Sequence, residues 1–119
     1  MIRLTNCRRG AAALEFALVA PLFLALSFGT IELAHWAWGA AALRDVAARA
    51  ARCIAVSPSR CGSAAATIAA MHADAPRLAG HSEFSFEKSP CGIRVTVRGG
   101  FPARLTPGLA ETSATACAG

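Results

Sequence analysis

The sequence predicts an α+β protein: a long N-terminal membrane-spanning helix that continues as a stalk, then a small disulfide-tied domain with a short helix and a β-hairpin. Three observations predict it. Apolar residues crowd into the first third of a 119-residue chain whose hydrophobic fraction is 55% and whose mean hydropathy is +0.44. Four of the five cysteines follow that apolar run. Two short stretches of alternating apolar and polar residues lie near the C-terminus, bounded by Pro and Gly, the pattern of half-buried strands.

The membrane helix rests on the stretch from Phe16 to Ile31, which contains no charge. From Phe16 to Trp36 the helix would rise about 31 Å at 1.5 Å per residue, the thickness of the hydrocarbon layer. Trp36 and Trp38 fit an interfacial belt. Glu32 and His35, three apart, share a helix face at that boundary. Pro21 interrupts the run, and membrane helices tolerate it when other groups satisfy the freed carbonyl. Ala13 and Ala17, and Ala25 and Gly29, are small residues four apart along which helices can approach closely in lipid.

Charge and cysteines set the surroundings. The formal charge is +5, but Arg3, Arg8 and Arg9 precede the apolar run and serve targeting; the remaining chain is nearly balanced. No basic patch interleaved with aromatics exists, so nucleic acid is not an expected partner. Arg44, Arg49 and Arg52 follow the run closely, so charge alone does not orient the helix. The cysteines do: Cys53, Cys61, Cys91 and Cys117, an even set on one side, fit two disulfides in an oxidising space. That puts the N-terminus inside and the C-terminal part outside, in the periplasm. Residues beyond the helix are too few for a large core, and such modules need staples.

The start of the run reads Arg8-Arg9-Gly10-Ala11-Ala12-Ala13-Leu14-Glu15-Phe16. A lone carboxylate at the edge of an apolar helix is expensive and demands a partner. A cut after Gly10 would create one, the new α-amine of Ala11. Gly suits a cut because it leaves the backbone open to a protease. Two other readings of this segment are an ordinary signal-anchor, and a secretory signal peptide cut near Ala40–Ala42. The apolar core of the latter would exceed the usual length of roughly 7–15 residues. Cys7 precedes the run, which argues against a lipoprotein signal.

The Gly-x-x-x-x-Glu arrangement resembles the processing site of type IV prepilins. More narrowly, Gly10–Arg52, with Ala-Leu-Glu-Phe-Ala-Leu-Val-Ala-Pro at 13–21, Gly29, Ile31-Glu32 and the Ala/Arg stretch to Arg52, resembles TadE-like pseudopilins of the tight-adherence (Flp pilus) machinery. The resemblance implies a leader over 1–10, a transmembrane and stalk helix over 11–56 and an external domain over 57–119. It implies Gly10 as the last leader residue, Ala11 as the mature N-terminus, and Glu15 with Phe16 as the pair used in processing or assembly. It further implies a prepilin peptidase, other pilins or pseudopilins, the inner-membrane assembly platform and membrane lipid as partners. Flp-type pilins tend to carry Tyr after the Glu, where Phe16 stands here; that favours a minor pseudopilin over the major fibre subunit.

Beyond the membrane, Ala40–Val56 lacks Pro and Gly and is rich in strong helix formers. Leu43, Val46, Ala47, Ala50 and Ile54 form an i, i+3, i+4 stripe, and Pro58 ends the helix. A helix over 11–56 would be about 69 Å long. Ser63 caps a short helix to about Ala73, stopped by Pro76. Phe84 and Phe86 mark one strand, Ile93, Val95 and Val97 another, joined through Lys88-Ser89-Pro90-Cys91. The tail from Pro102 reads as loose unless Cys117 ties it down. Four cysteines allow three pairings; proximity favours Cys53–Cys61, and elimination then gives Cys91–Cys117. Each bridge adds about 2–4 kcal/mol. The expected core is Leu43, Val46, Ile54, Ile68, Met71, Phe84, Phe86, Ile93, Val95 and Val97.

No enzyme chemistry is legible. His35, His72 and His81 are scattered and no Cys-x-x-Cys occurs, so neither a metal nor another cofactor is expected. There is no phosphate-binding Gly-rich loop and no Gly-x-Ser-x-Gly elbow. The spacing of the four cysteines is wrong for a catalytic dithiol. The remaining alternative is a secreted or anchored interaction module with an ordinary signal sequence.

Overall fold

The computed structural model describes residues 8–100 and 111–119. The chain divides into two compact units, the first ending at Ala34 and the second beginning at His35. Helix α1 (Arg8–Val56) supplies the helix of the first unit and the first helix of the second. Pro21 lies inside it and cannot donate to the carbonyl one turn earlier, that of Ala17. Hydroxyls in the same stretch bond back to the helix: Ser27 Oγ donates to the Phe23 carbonyl at 2.8 Å and Thr30 Oγ1 to the Ser27 carbonyl at 2.9 Å. Neither therefore presents an unsatisfied donor to lipid.

Helix α1 stops at Val56 because the residue before Pro58 is driven out of helical backbone; Ser57 has φ −129° and ψ 65°. Pro58 opens the single turn α2 (Pro58–Cys61). Ser63 caps α3 (Ala64–Asp74), its Oγ accepting from the Ala66 N–H at 3.2 Å. Pro76 ends that helix and begins a second short turn, α4 (Pro76–Ala79). Both ends of α3 thus fall where the cap and the proline placed them.

The hairpin forms as β1 (Ser82–Ser89) and β2 (Gly92–Gly100), with Pro90-Cys91 as its two-residue turn. Gly92 has φ +103°, a conformation that glycine alone adopts without strain. A Cβ there would also collide with the Ala118 carbonyl. The tail is tied to the hairpin turn through Cys117, the condition the sequence reading set for order there, and corrects that reading in one respect: Glu111–Ala118 is a regular third strand, β3, paired antiparallel to β2 from Ile93↔Ala118 to Gly100↔Glu111. The sheet order is β1-β2-β3. Backbone ladder bonds and the inward-facing Ala114 secure β3. Its Ala/Thr/Ser composition hides the strand, because small residues give little hydrophobic alternation. The remaining expectation for the tail, over residues 102–110, lies outside the described residues.

The core of the second unit forms where one stripe of α1 meets the sheet. Leu43, Val46, Ala47, Ala50 and Ala51 are buried with Val95 and Val97 of β2, Ala114 of β3, and Ala70 and Met71 of α3. A Cβ at Gly99 would stand 3.0 Å from Leu43 Cδ2, so the leucine occupies the space glycine leaves. Thr67 is fully buried and satisfied, donating to the Ser63 carbonyl at 2.9 Å. Phe84, Phe86 and Ile54 are partly buried against this cluster. Ile68 is only half-buried. Ile93 is a second correction: it is 38% exposed. It sits near the end of the sheet, on a groove of about 260 Å³ shared with Ile54, Pro58 and Phe86.

Leu43→Ala is expected to destabilise this unit by about 2–4 kcal/mol, the cost of a cavity in a small core, whereas Ile93→Ala costs under about 1 kcal/mol. Urea unfolding of the full chain in detergent, followed by near-UV circular dichroism, checks the difference.

Candidate functional site

The N-terminal half of α1 is apolar on every side. Leu14, Phe16, Leu18, Val19, Leu22, Phe23, Leu24, Leu26, Phe28, Ile31 and Leu33 are all exposed large hydrophobic residues. An 18-residue window within Gly10–Val56 reaches a mean hydropathy of 2.0 and is not buried at all. A helix apolar all round has two stable surroundings, a large protein core or a bilayer. Each exposed leucine or phenylalanine would gain about 1.5–3 kcal/mol on leaving water, so the exposed surface is matched to lipid.

Within this helix the predicted residues fall into two groups. Gly10, Ala11, Glu15 and Phe16 lie in its first turns, all exposed. Ala11 and Glu15 are four apart, so they share a face and differ by about 6 Å in rise. Phe16 is rotated about 100° from Glu15 and is 74% exposed. Glu15 is the only acidic residue between Gly10 and Ile31. The second group is Pro21, Ala25 and Gly29, also exposed. With Ala13 and Ala17 they form one i, i+4 ridge of small or compact residues. A Cβ at Gly29 would meet nothing within 4 Å. Among the described residues nothing therefore requires a glycine there, although it costs a helix about 1 kcal/mol relative to alanine.

The four cysteines beyond the membrane helix pair as Cys53–Cys61 and Cys91–Cys117. The first bridge joins the last turn of α1 to α2; the second joins the hairpin turn to the end of β3. Cys61 is 1% exposed, while Cys91 and Cys117 are both exposed. Ser89 Oγ stands 2.9 Å from Cys91 Sγ and 3.7 Å from Cys117 Sγ. Sequence reasoning missed this hydroxyl. Its separation of two residues from Cys91 carries no signal until the turn brings them together.

Glu32 is half-buried and Trp36 likewise, while His35 and Trp38 are exposed. Three ion pairs, Arg49–Asp45 at 2.8 Å, Arg60–Asp74 at 2.9 Å and Arg94–Glu87 at 3.8 Å, lie on the surface of the second unit. Pairs of this kind contribute little to stability. Arg3 and Cys7 lie outside the described residues.

Among the described residues one helix is long and apolar enough to cross a membrane, and a small α+β unit with two disulfides follows it, the make-up of a membrane-anchored, single-pass protein. The helix is more specific still: residues 10–52 match the family model described as TadE-like protein. That segment, about a third of the chain, is thus similar to TadE-like proteins, and residues 53–119 lie outside the matched stretch. No curated protein matches the chain, and no solved structure does.

A single charge at the centre of the apolar stretch tests its environment. Leu24→Arg is expected to cost insertion about 2.5–3.5 kcal/mol. Carbonate extraction checks this: the wild-type chain stays with the membrane pellet, and the variant shifts towards the soluble fraction.

Proposed function

We propose that this chain is a minor pseudopilin, a structural component of Flp-type pilus assembly and not an enzyme. Residues 1–10 form its leader, 11–56 its membrane and stalk helix, and 57–119 its external domain. A prepilin peptidase cuts between Gly10 and Ala11 on the cytoplasmic side of the bacterial inner membrane, and the disulfide-bonded domain lies in the periplasm. In this reaction the chain is the substrate. Its lasting partners are other pilins or pseudopilins, the inner-membrane assembly platform and the surrounding lipid.

The observation that carries this reading is Glu15, a lone carboxylate in a helix otherwise dressed for lipid, on the same face as Ala11. A carboxylate at the edge of hydrocarbon is costly without a partner. The cut makes a cation at residue 11, either in the same chain or, during assembly, in a neighbour. The Pro21, Ala25 and Gly29 ridge supports the same reading, since compact side chains let two membrane helices pack closely. Gly10 is exposed, and among the described residues a Cβ there would meet nothing within 4 Å, which fits a backbone left open to a protease.

N-terminal sequencing of the chain recovered from membranes is expected to begin at Ala11. A start near residues 41–43 would instead identify a secretory signal peptide and sink the proposal. Glu15→Ala is expected to reduce pilus production at least tenfold while leaving the external domain folded. Normal maturation together with normal piliation in that variant would show that the carboxylate has no such task.

A further inference from the structure

The two disulfides differ in chemical situation, and the proposed function uses neither. Cys53–Cys61 is shielded on one side: Cys61 is 1% exposed and its carbonyl accepts a hydrogen bond from the buried Thr67 hydroxyl at 3.3 Å. Cys91 and Cys117 are both exposed. They lie at the end of the sheet, where the hairpin turn meets the last residues of β3. Close backbone packing holds that end together as well, since a Cβ at Gly119 would collide with the Cys91 carbonyl and one at Gly92 with the Ala118 carbonyl. The β2–β3 ladder pairs every residue from Ile93 to Gly100 with β3, so β3 stays in place if the bridge opens. The ladder therefore gives β3 a hold on the sheet that does not depend on this disulfide.

Ser89 gives the exchange a direction. Its hydroxyl lies 2.9 Å from Cys91 Sγ, nearer than the 3.7 Å to Cys117 Sγ, and 3.3 Å from the Gly92 carbonyl. In the intact bridge the hydroxyl faces only neutral acceptors, the Gly92 carbonyl and the two sulfurs. A thiolate is a far stronger acceptor, because hydrogen bonds to ionised groups are about twice as strong as neutral ones. The donor is therefore in place for a negative charge on Cys91.

We infer that Cys91–Cys117 is a thiol–disulfide exchange site, attacked at Cys117 by an external dithiol and releasing Cys91 as the stabilised leaving group. The dithiol's thiolate forms a bond to Cys117 Sγ, the Sγ–Sγ bond breaks, and its electron pair departs on Cys91 Sγ beside the Ser89 hydroxyl. The second thiolate of the same dithiol then attacks the mixed disulfide and releases Cys117. The cystine gains two electrons and two protons, and the dithiol loses the same and becomes a disulfide. Exchange is faster from the leaving thiol of lower pKa and at the more accessible sulfur. Ser89 acts here as a positioning residue.

The test uses the full chain in detergent micelles with dithiothreitol as the dithiol, followed by differential alkylation and peptide mass spectrometry. Cys91 and Cys117 are expected to become alkylated about tenfold faster than Cys53 and Cys61, with the far-UV spectrum unchanged. Under 2-mercaptoethanol, the mixed disulfide is expected mainly on Cys117. Ser89→Ala is expected to slow opening roughly threefold, because the leaving thiolate loses its donor, and to erase the preference for Cys117. Ser89→Thr is expected to restore both. Equal reduction of the two bridges, loss of the folded spectrum on opening, or an adduct mainly on Cys91 would each overturn the inference.

Discussion

The second unit depends on one contact, the narrow stripe of α1 that lies on the sheet. Three strands of eight or nine residues need a packing layer to be stable in water, and among the described elements α1 supplies most of it. The stripe is built largely from alanine, with Leu43 and Val46 as its two larger members. Alanines let the helix backbone come close, and the sheet answers with β-branched Val95 and Val97 where bulk is needed. Leu43 fills the space above Gly99, so large and small residues alternate across the interface, as dense packing requires. A layer so thin leaves little apolar area in reserve, which is why two disulfides accompany it.

Helix α1 obeys two different surface rules along its length. From Ala11 to Ile31 its residues are apolar in all directions and nearly all exposed; from Ala40 to Ala51 only one stripe is buried, and Arg44, Asp45 and Arg49 occupy the other side. The change falls around Glu32, His35, Trp36 and Trp38, the residue types expected where hydrocarbon gives way to headgroups. One continuous run of backbone hydrogen bonds serves both environments, because a helix satisfies its own polar groups whatever surrounds it.

Much of this was legible in the sequence. Hydrophobic periodicity and prolines located α1, α3 and the hairpin, since Pro58, Pro76 and the Ser63 cap act through local backbone chemistry that needs no tertiary context. Proximity and elimination gave the right disulfide pairing, because Cys53 and Cys61 are separated by a proline turn. The third strand was not legible. Glu-Thr-Ser-Ala-Thr-Ala-Cys-Ala has no large apolar residue to mark an inward face, and its strand character comes from pairing with β2, a contact distant in sequence. Ile93 failed for the opposite reason: its alternation with Val95 and Val97 was read correctly, but alternation says which face a residue joins and not how far the packed core extends along it. The Ser89 hydroxyl beside Cys91 is likewise a product of turn geometry.

The electrostatics of Glu15 bear on when it becomes tolerable. In the uncut chain α1 already includes Arg8, seven residues before Glu15. Glu15 then sits two turns inside, where the positive end of the helix dipole has largely faded. On the proposed reading, removing residues 1–10 shortens the helix so that Glu15 lies one turn from its start. The carboxylate then gains both the dipole and a full positive charge on its own face. Neither interaction requires Glu15 to move. Proteolysis would thus convert a costly charge at the edge of the apolar stretch into a paired one by changing where the helix begins, and the same carboxylate that the uncut chain holds at a cost would favour the processed form.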